Sequence, residues 1–133
     1  MKYLARLAHG LVGKPESLPG ALGREFPELR GLRYRRGGLP LRLGGWALGQ
    51  RTVAAITLGR TIFLAEVTEL RAELLLHEFR HVEQFAERRT FPLRYIWESL
   101  RRGYRANRYE ADARSYAARR VSRACRSDPS QDE

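Results

Sequence analysis

One cysteine, Cys125, is all this chain of 133 residues contains, so no intrachain disulfide can form. That fits a reducing compartment. Lysine is nearly missing as well: Lys2 and Lys14 stand among 25 basic residues, and the net charge of +10 is almost wholly arginine. Long hydrophobic runs are also lacking. Nowhere do 18 apolar residues follow one another, which removes a helical membrane span. The amino-terminal stretch from Met1 to Val12 is interrupted by Arg6 and His9 and has no secretory apolar core. Together these absences predict a soluble cytoplasmic protein with no membrane partner. Histidine is scarce too, with three in the chain, and two of them lie four residues apart.

What is present is enough for one domain. The 43% apolar content is that of a chain that folds around a core rather than staying disordered. The arginines are spread along the sequence, from Arg33, Arg35 and Arg36 to Arg119, Arg120, Arg123 and Arg126. A basic balance of this kind admits a nucleic-acid or acidic partner, but it argues association rather than function. The expected division is one domain over residues 1–126, with 1–50 irregular and 51–126 bearing the motifs, and a polar tail over 127–133.

Leu4, Leu7, Ala8, Leu11 and Val12 recur at three- and four-residue steps, which predicts an amphipathic helix ending near Gly13. Its expected role is packing. From Lys14 to Gln50, glycine and proline recur too often for long elements. Loops are expected there, with one or two short strands, for instance around Leu39–Leu43. Thr52–Leu58 and Thr61–Ala65 are β-rich runs joined by Gly59-Arg60, the two-residue loop of a type II′ hairpin. An edge strand of such a hairpin can hold an extended peptide by main-chain hydrogen bonds. Thr68 reads as the N-cap of a helix running to about Arg88, with Leu75, Phe79, Val82 and Ala86 as its core stripe. Pro92 suits the first turn of a second helix that Gly103 ends. Asn107 caps a third, running to about Arg123. The expected fold class is α+β.

Chemistry concentrates in Leu74-Leu75-Leu76-His77-Glu78-Phe79-Arg80-His81, an H-E-x-x-H motif inside an apolar helical run. Residues four apart share a helix face, so His77 and His81 can point their imidazoles at one zinc ion. Glu78 sits about 100° further round, beside the metal's open position, where a general base belongs. Catalytic zinc takes three protein ligands. The candidates for the third are His9, Cys125, Glu110 and Asp112, the last also a candidate acceptor that orients a histidine N–H. Glu110 has a second explanation, because Asn107 and Glu110 have the spacing of a capping box. Tyr104, Tyr109 and Tyr116 are candidate O–H donors to an oxyanion.

The residues Ile56-Thr57-Leu58-Gly59, His77-Glu78-Phe79-Arg80-His81-Val82-Glu83-Gln84 and Asn107-Arg108-Tyr109-Glu110-Ala111-Asp112-Ala113 resemble the gluzincin-type metallopeptidases, particularly their smallest members, the minigluzincins. The resemblance spans a little under half of the chain. Arg108 departs from the proline common at that place, and no segment corresponds to the lid or second lobe of larger gluzincins. The resemblance implies a zincin-like fold, in which a short hairpin or small sheet packs on the H-E-x-x-H helix and on a downstream helix. It implies zinc held by His77, His81 and Glu110, Glu78 as general base, and a peptide or protein substrate. Two other readings stay open. One is a zinc-bound scaffold without activity, and the other is a DNA-associated protease.

Overall fold

The computed structural model describes residues 1–47 and 53–127. Among the described residues, six helices and a four-stranded mixed sheet make an α+β arrangement. In chain order these are α1 (Lys2–Val12), β1 (Lys14–Glu16), α2 (Gly20–Glu25), a 3-10 turn (Pro27–Gly31), β2 (Arg33–Arg36), α3 (Leu39–Ala47), β3 (Ala55–Leu58), β4 (Thr61–Leu64), α4 (Ala72–Glu87), α5 (Phe91–Arg102) and α6 (Arg108–Arg126). Thr52 of the expected first strand, and the tail from Asp128 onward, lie outside the described residues.

The sheet runs β1-β2-β4-β3. β3 and β4 form the expected antiparallel hairpin, with Leu58 opposite Thr61. Gly59 has φ 60°, while Arg60, like every described non-glycine residue, avoids positive φ. That is what a type II′ turn requires and a type I′ turn forbids. β2 pairs in parallel with β4 and antiparallel with β1. β4 therefore has a strand on each side, and its Ile62, Phe63 and Leu64 are all buried. Such a continuous apolar run belongs to a strand covered on both faces.

The amino-terminal third holds more regular structure than its glycines and prolines suggest. It supplies two of the four strands, and Phe26, Leu29, Leu32 and Tyr34 stand in the core. The Tyr34 hydroxyl donates to the Leu29 carbonyl at 2.7 Å, and burial pushes its pKa up to about 12. The expected strand around Leu39–Leu43 is instead the start of α3. Pro40 stands in its first turn, where a missing N–H leaves no helical bond unmade.

α4 is the central element, lying between the sheet and α6 with Leu75, Leu76 and Val82 buried. It starts later than expected. Thr68 is not its N-cap: the Thr68 hydroxyl donates to Ala54 O and its N–H to Ala65 O. Arg71 is the capping residue, without a side-chain bond. Arg36 stabilises the connection ahead of α4 by donating to Ala65 O at 2.8 Å and Thr68 O at 2.7 Å. Ala86, expected in the core stripe, is exposed. Pro92 and Gly103 frame α5 as expected, Gly103 with φ 77°. α6 begins at Asn107, whose side chain accepts from Tyr109 N at 2.9 Å. Among the described residues no helix is long and apolar enough to cross a membrane.

Candidate metal centre

α4 and α6 lie side by side, and this contact assembles the site. His77 and His81, one turn apart on α4, have ring centroids 4.9 Å apart. Glu110, in the first turn of α6, reaches both: its Oε2 lies 2.9 Å from His77 Nε2 and its Oε1 3.1 Å from His81 Nε2. All three donor atoms fall within 4.8 Å of one another. Glu110 does not close a capping box, because the Asn107 N–H bonds to Tyr104 O. Its carboxylate is turned toward the histidines instead.

His81 and Glu110 each have a support. The Gln84 amide donates to Tyr109 O at 3.2 Å and to Asp112 Oδ2 at 2.9 Å. Its Oε1 therefore faces His81 Nδ1, at 2.7 Å. An acceptor there requires a proton on His81 Nδ1, so the nitrogen turned to Glu110 is Nε2, and it is Nε2 that can give up its proton to bind an ion. Asp112 is thus not a ligand and does not touch a histidine. It acts one bond further out, accepting from Gln84 and from Arg80 Nε at 2.7 Å. Arg80 also bridges to Glu83 and Glu87. Tyr95 on α5 donates its hydroxyl to Glu110 Oε1 at 2.6 Å.

Burial and charge act against each other here. Burial would raise the Glu110 carboxyl, but hydrogen bonds from His77 and His81 outweigh it and hold the pKa well below the usual carboxylate range. For His81, burial disfavours the charged form. The bond to Glu110 and the nearby Glu78 charge more than offset that and raise its pKa. Burial, and then Glu110, push the Tyr95 and Tyr104 hydroxyls far up, so both are proton donors at neutral pH.

Glu78, His81, Glu110, Tyr95 and Tyr104 line one cleft of about 240 Å³. Its wall is β3, the outer strand of the sheet. Glu78 is 5% exposed, and the Thr57 hydroxyl from β3 donates to its Oε2 at 2.6 Å. One carboxylate oxygen of Glu78 is thereby held at the cleft wall.

The expected residues sort plainly. His77, His81, Glu110 and Glu78 come together, and Tyr104 lines the same cleft. Tyr109 contributes its carbonyl to Gln84, while its ring packs on Phe91 with centroids 5.1 Å apart. Tyr116 packs on Phe79. His9 and Cys125 are exposed on α1 and α6, outside the triad. Sequence reasoning gives Thr57, Gln84 and Tyr95 no role, although Gln84 stands within the motif stretch His77–Gln84. Thr57 left a trace, as a polar residue at an inward position of a β-run. Tyr95 left none, because its role depends on how α5 packs. In comparison with family models, curated proteins and solved structures, nothing matches the chain. Its chemistry rests on the geometry of this site.

Proposed function

We propose that the protein is a zinc-dependent peptide hydrolase of the gluzincin type, with a zincin-like arrangement of α4 and α6 beside the sheet. One observation carries the reading: two imidazoles and a buried carboxylate converge beside a cleft lined by His81, Glu110 and Glu78. The donor set fits the metal. Two nitrogens and one oxygen are the ligand chemistry of catalytic zinc, and a tetrahedron of bonds near 2.0–2.1 Å has edges of about 3.3 Å. One ligand atom from each of the three residues lies within 4.8 Å of the others, a spacing that a bound ion can draw in to that edge. His77, His81 and Glu110 would hold the ion, which supplies a Lewis acid that polarises a carbonyl and acidifies water.

The protein's own groups would do the rest. Glu78 accepts the proton of the attacking water on its carboxylate and passes it to the leaving amine, so the peptide bond ends as acid and amine. Thr57 holds Glu78 in the orientation this needs. Gln84 keeps His81 in one tautomer, and Tyr95 holds Glu110. Tyr104, which lines the cleft, would donate to an oxyanion. The outer strand β3 offers main-chain groups to an extended peptide.

The test is metal analysis together with hydrolysis of an unfolded protein substrate. The expected result is bound zinc and turnover in the parent, with zinc retained and turnover lost in Glu78→Gln. Equal zinc and undiminished turnover in that variant would overturn the role of Glu78. Zinc without hydrolysis in the parent would leave a non-enzymatic zinc scaffold.

A further inference from the structure

Four large apolar side chains on α5 stand in solvent: Leu93 is 72% exposed, Ile96 55%, Trp97 63% and Leu100 79%. Steps of three and four residues place them on one stripe. Arg94, Arg101 and Arg102 are exposed on the same helix, and its one acid, Glu98, is buried. Glu98 meets Arg102 and Arg108 at 3.6 and 3.7 Å, whereas Arg94 and Arg101 make no salt bridge among the described residues.

The same pattern surrounds the cleft. Gly44 of α3, Leu58 of β3 and Ile96 of α5 all line it, so α3 and α5 border one opening. Leu39 and Leu43 of α3 and Leu58 of β3 are exposed. α1 packs on α3 and leaves Leu4, Leu7, Leu11 and Val12 between 45% and 71% exposed. Its polar side carries Lys2, Arg6 and His9. Neither α1 nor α3 contains an acidic residue.

We propose that this rim docks on an anionic lipid bilayer, with α5 lying at headgroup level and α1 as a second contact. A leucine-rich stripe with tryptophan, edged by arginine alone, matches such a surface in both its apolar and its charged parts. A second copy fits less well. A two-fold contact sets the same patch against itself, which would bring the arginines of both copies together with no exposed acid to meet them. Nucleic acid would engage the arginines but leave Leu93, Ile96 and Leu100 without contacts. The inference does not rest on the peptidase reading, so Glu78→Gln should bind lipid as the parent does.

The test is flotation of the full chain with vesicles of phosphatidylcholine, alone or mixed with phosphatidylglycerol. Binding to the mixed vesicles alone is expected, released at 1 M salt, where the screening length falls to about 3 Å. Arg94→Gln with Arg101→Gln should weaken partitioning about fivefold per arginine. Leu93→Gln with Leu100→Gln should weaken it at least about tenfold, since each buried methylene adds to the affinity. Brominated lipid should quench the parent's tryptophan emission and spare Trp97→Phe much of that loss, a readout that keeps an aromatic ring in the apolar stripe. Equal binding to both vesicle types, no binding, or absence of quenching would overturn the proposal. So would a dimer that Leu93→Gln with Leu100→Gln disperses, or duplex DNA binding that this pair leaves unchanged.

Discussion

α4 and α1 are both amphipathic helices with apolar residues at three- and four-residue steps, yet they end in opposite places. α4 buries Leu75, Leu76 and Val82 between the sheet and α6, while α1 buries none of its residues. The outer face of α5 sides with α1. A periodic stripe therefore states that a face exists, and the neighbours decide what covers it. The difference also separates two kinds of surface. On the inward side of α4, the polar groups Glu78, His81 and Gln84 are buried and hydrogen-bonded. On α1 and α5, the exposed charges are all basic.

That contrast can be broken or sharpened at four points. The largest effect belongs to the buried cleft. Glu78→Gln should lower peptide hydrolysis by about 10²–10⁴-fold, the usual reach of general base catalysis, with zinc content unchanged by elemental analysis. Next comes the packing of α4. Leu76 is fully buried, and Leu76→Ala should cost about 2–5 kcal/mol, read as a shift of the urea unfolding midpoint. A loss under about 0.5 kcal/mol would mean that α4 is no more enclosed than α1.

The third point is the support of His81. Gln84→Leu removes the acceptor at Nδ1 and leaves Asp112 paired with Arg80 alone. Zinc affinity should fall about 10–100-fold, measured by competition with a chromogenic chelator, and Tyr95→Phe should act in the same direction through Glu110. Unchanged affinity in both would reduce these contacts to packing. The smallest effect belongs to α1. Leu7→Ser should change folding stability by no more than about 0.5 kcal/mol, as expected of a surface site. A loss of about 2 kcal/mol or more by thermal melting would show that α1 is covered in solution.

Much of the site was legible because its signals are local. The four-residue step from His77 to His81 is set by helix geometry, and the position of Glu78 follows from the same period. Gly59, Gly103 and Asn107 announced their turn and caps through backbone demands that few other residues meet. Elements made by distant partners were less legible. β2 has Tyr34 as its one apolar residue and becomes a strand by pairing with β4, on the far side of α3. Leu39–Leu43 carries a strand-like alternation that packing against β3 and α1 overrides. Thr68 looked like a cap, but its hydroxyl is engaged by Ala54, a partner that local sequence cannot supply.

By itself, then, the sequence determined the α+β class, the hairpin, the three carboxy-terminal helices and the pair of histidines on one helix face. These depend on interactions within a few residues. Only the tertiary structure brought Glu110, which the resemblance implied, to the two histidines and kept His9, Cys125 and Asp112 from them, placed Thr57 on Glu78 and Tyr95 on Glu110, and left α1 and the outer face of α5 in solvent. Those outcomes depend on which elements meet. The contact of α4 with α6 brings Glu110 across 29 residues of chain to His81, a separation over which periodicity carries no information.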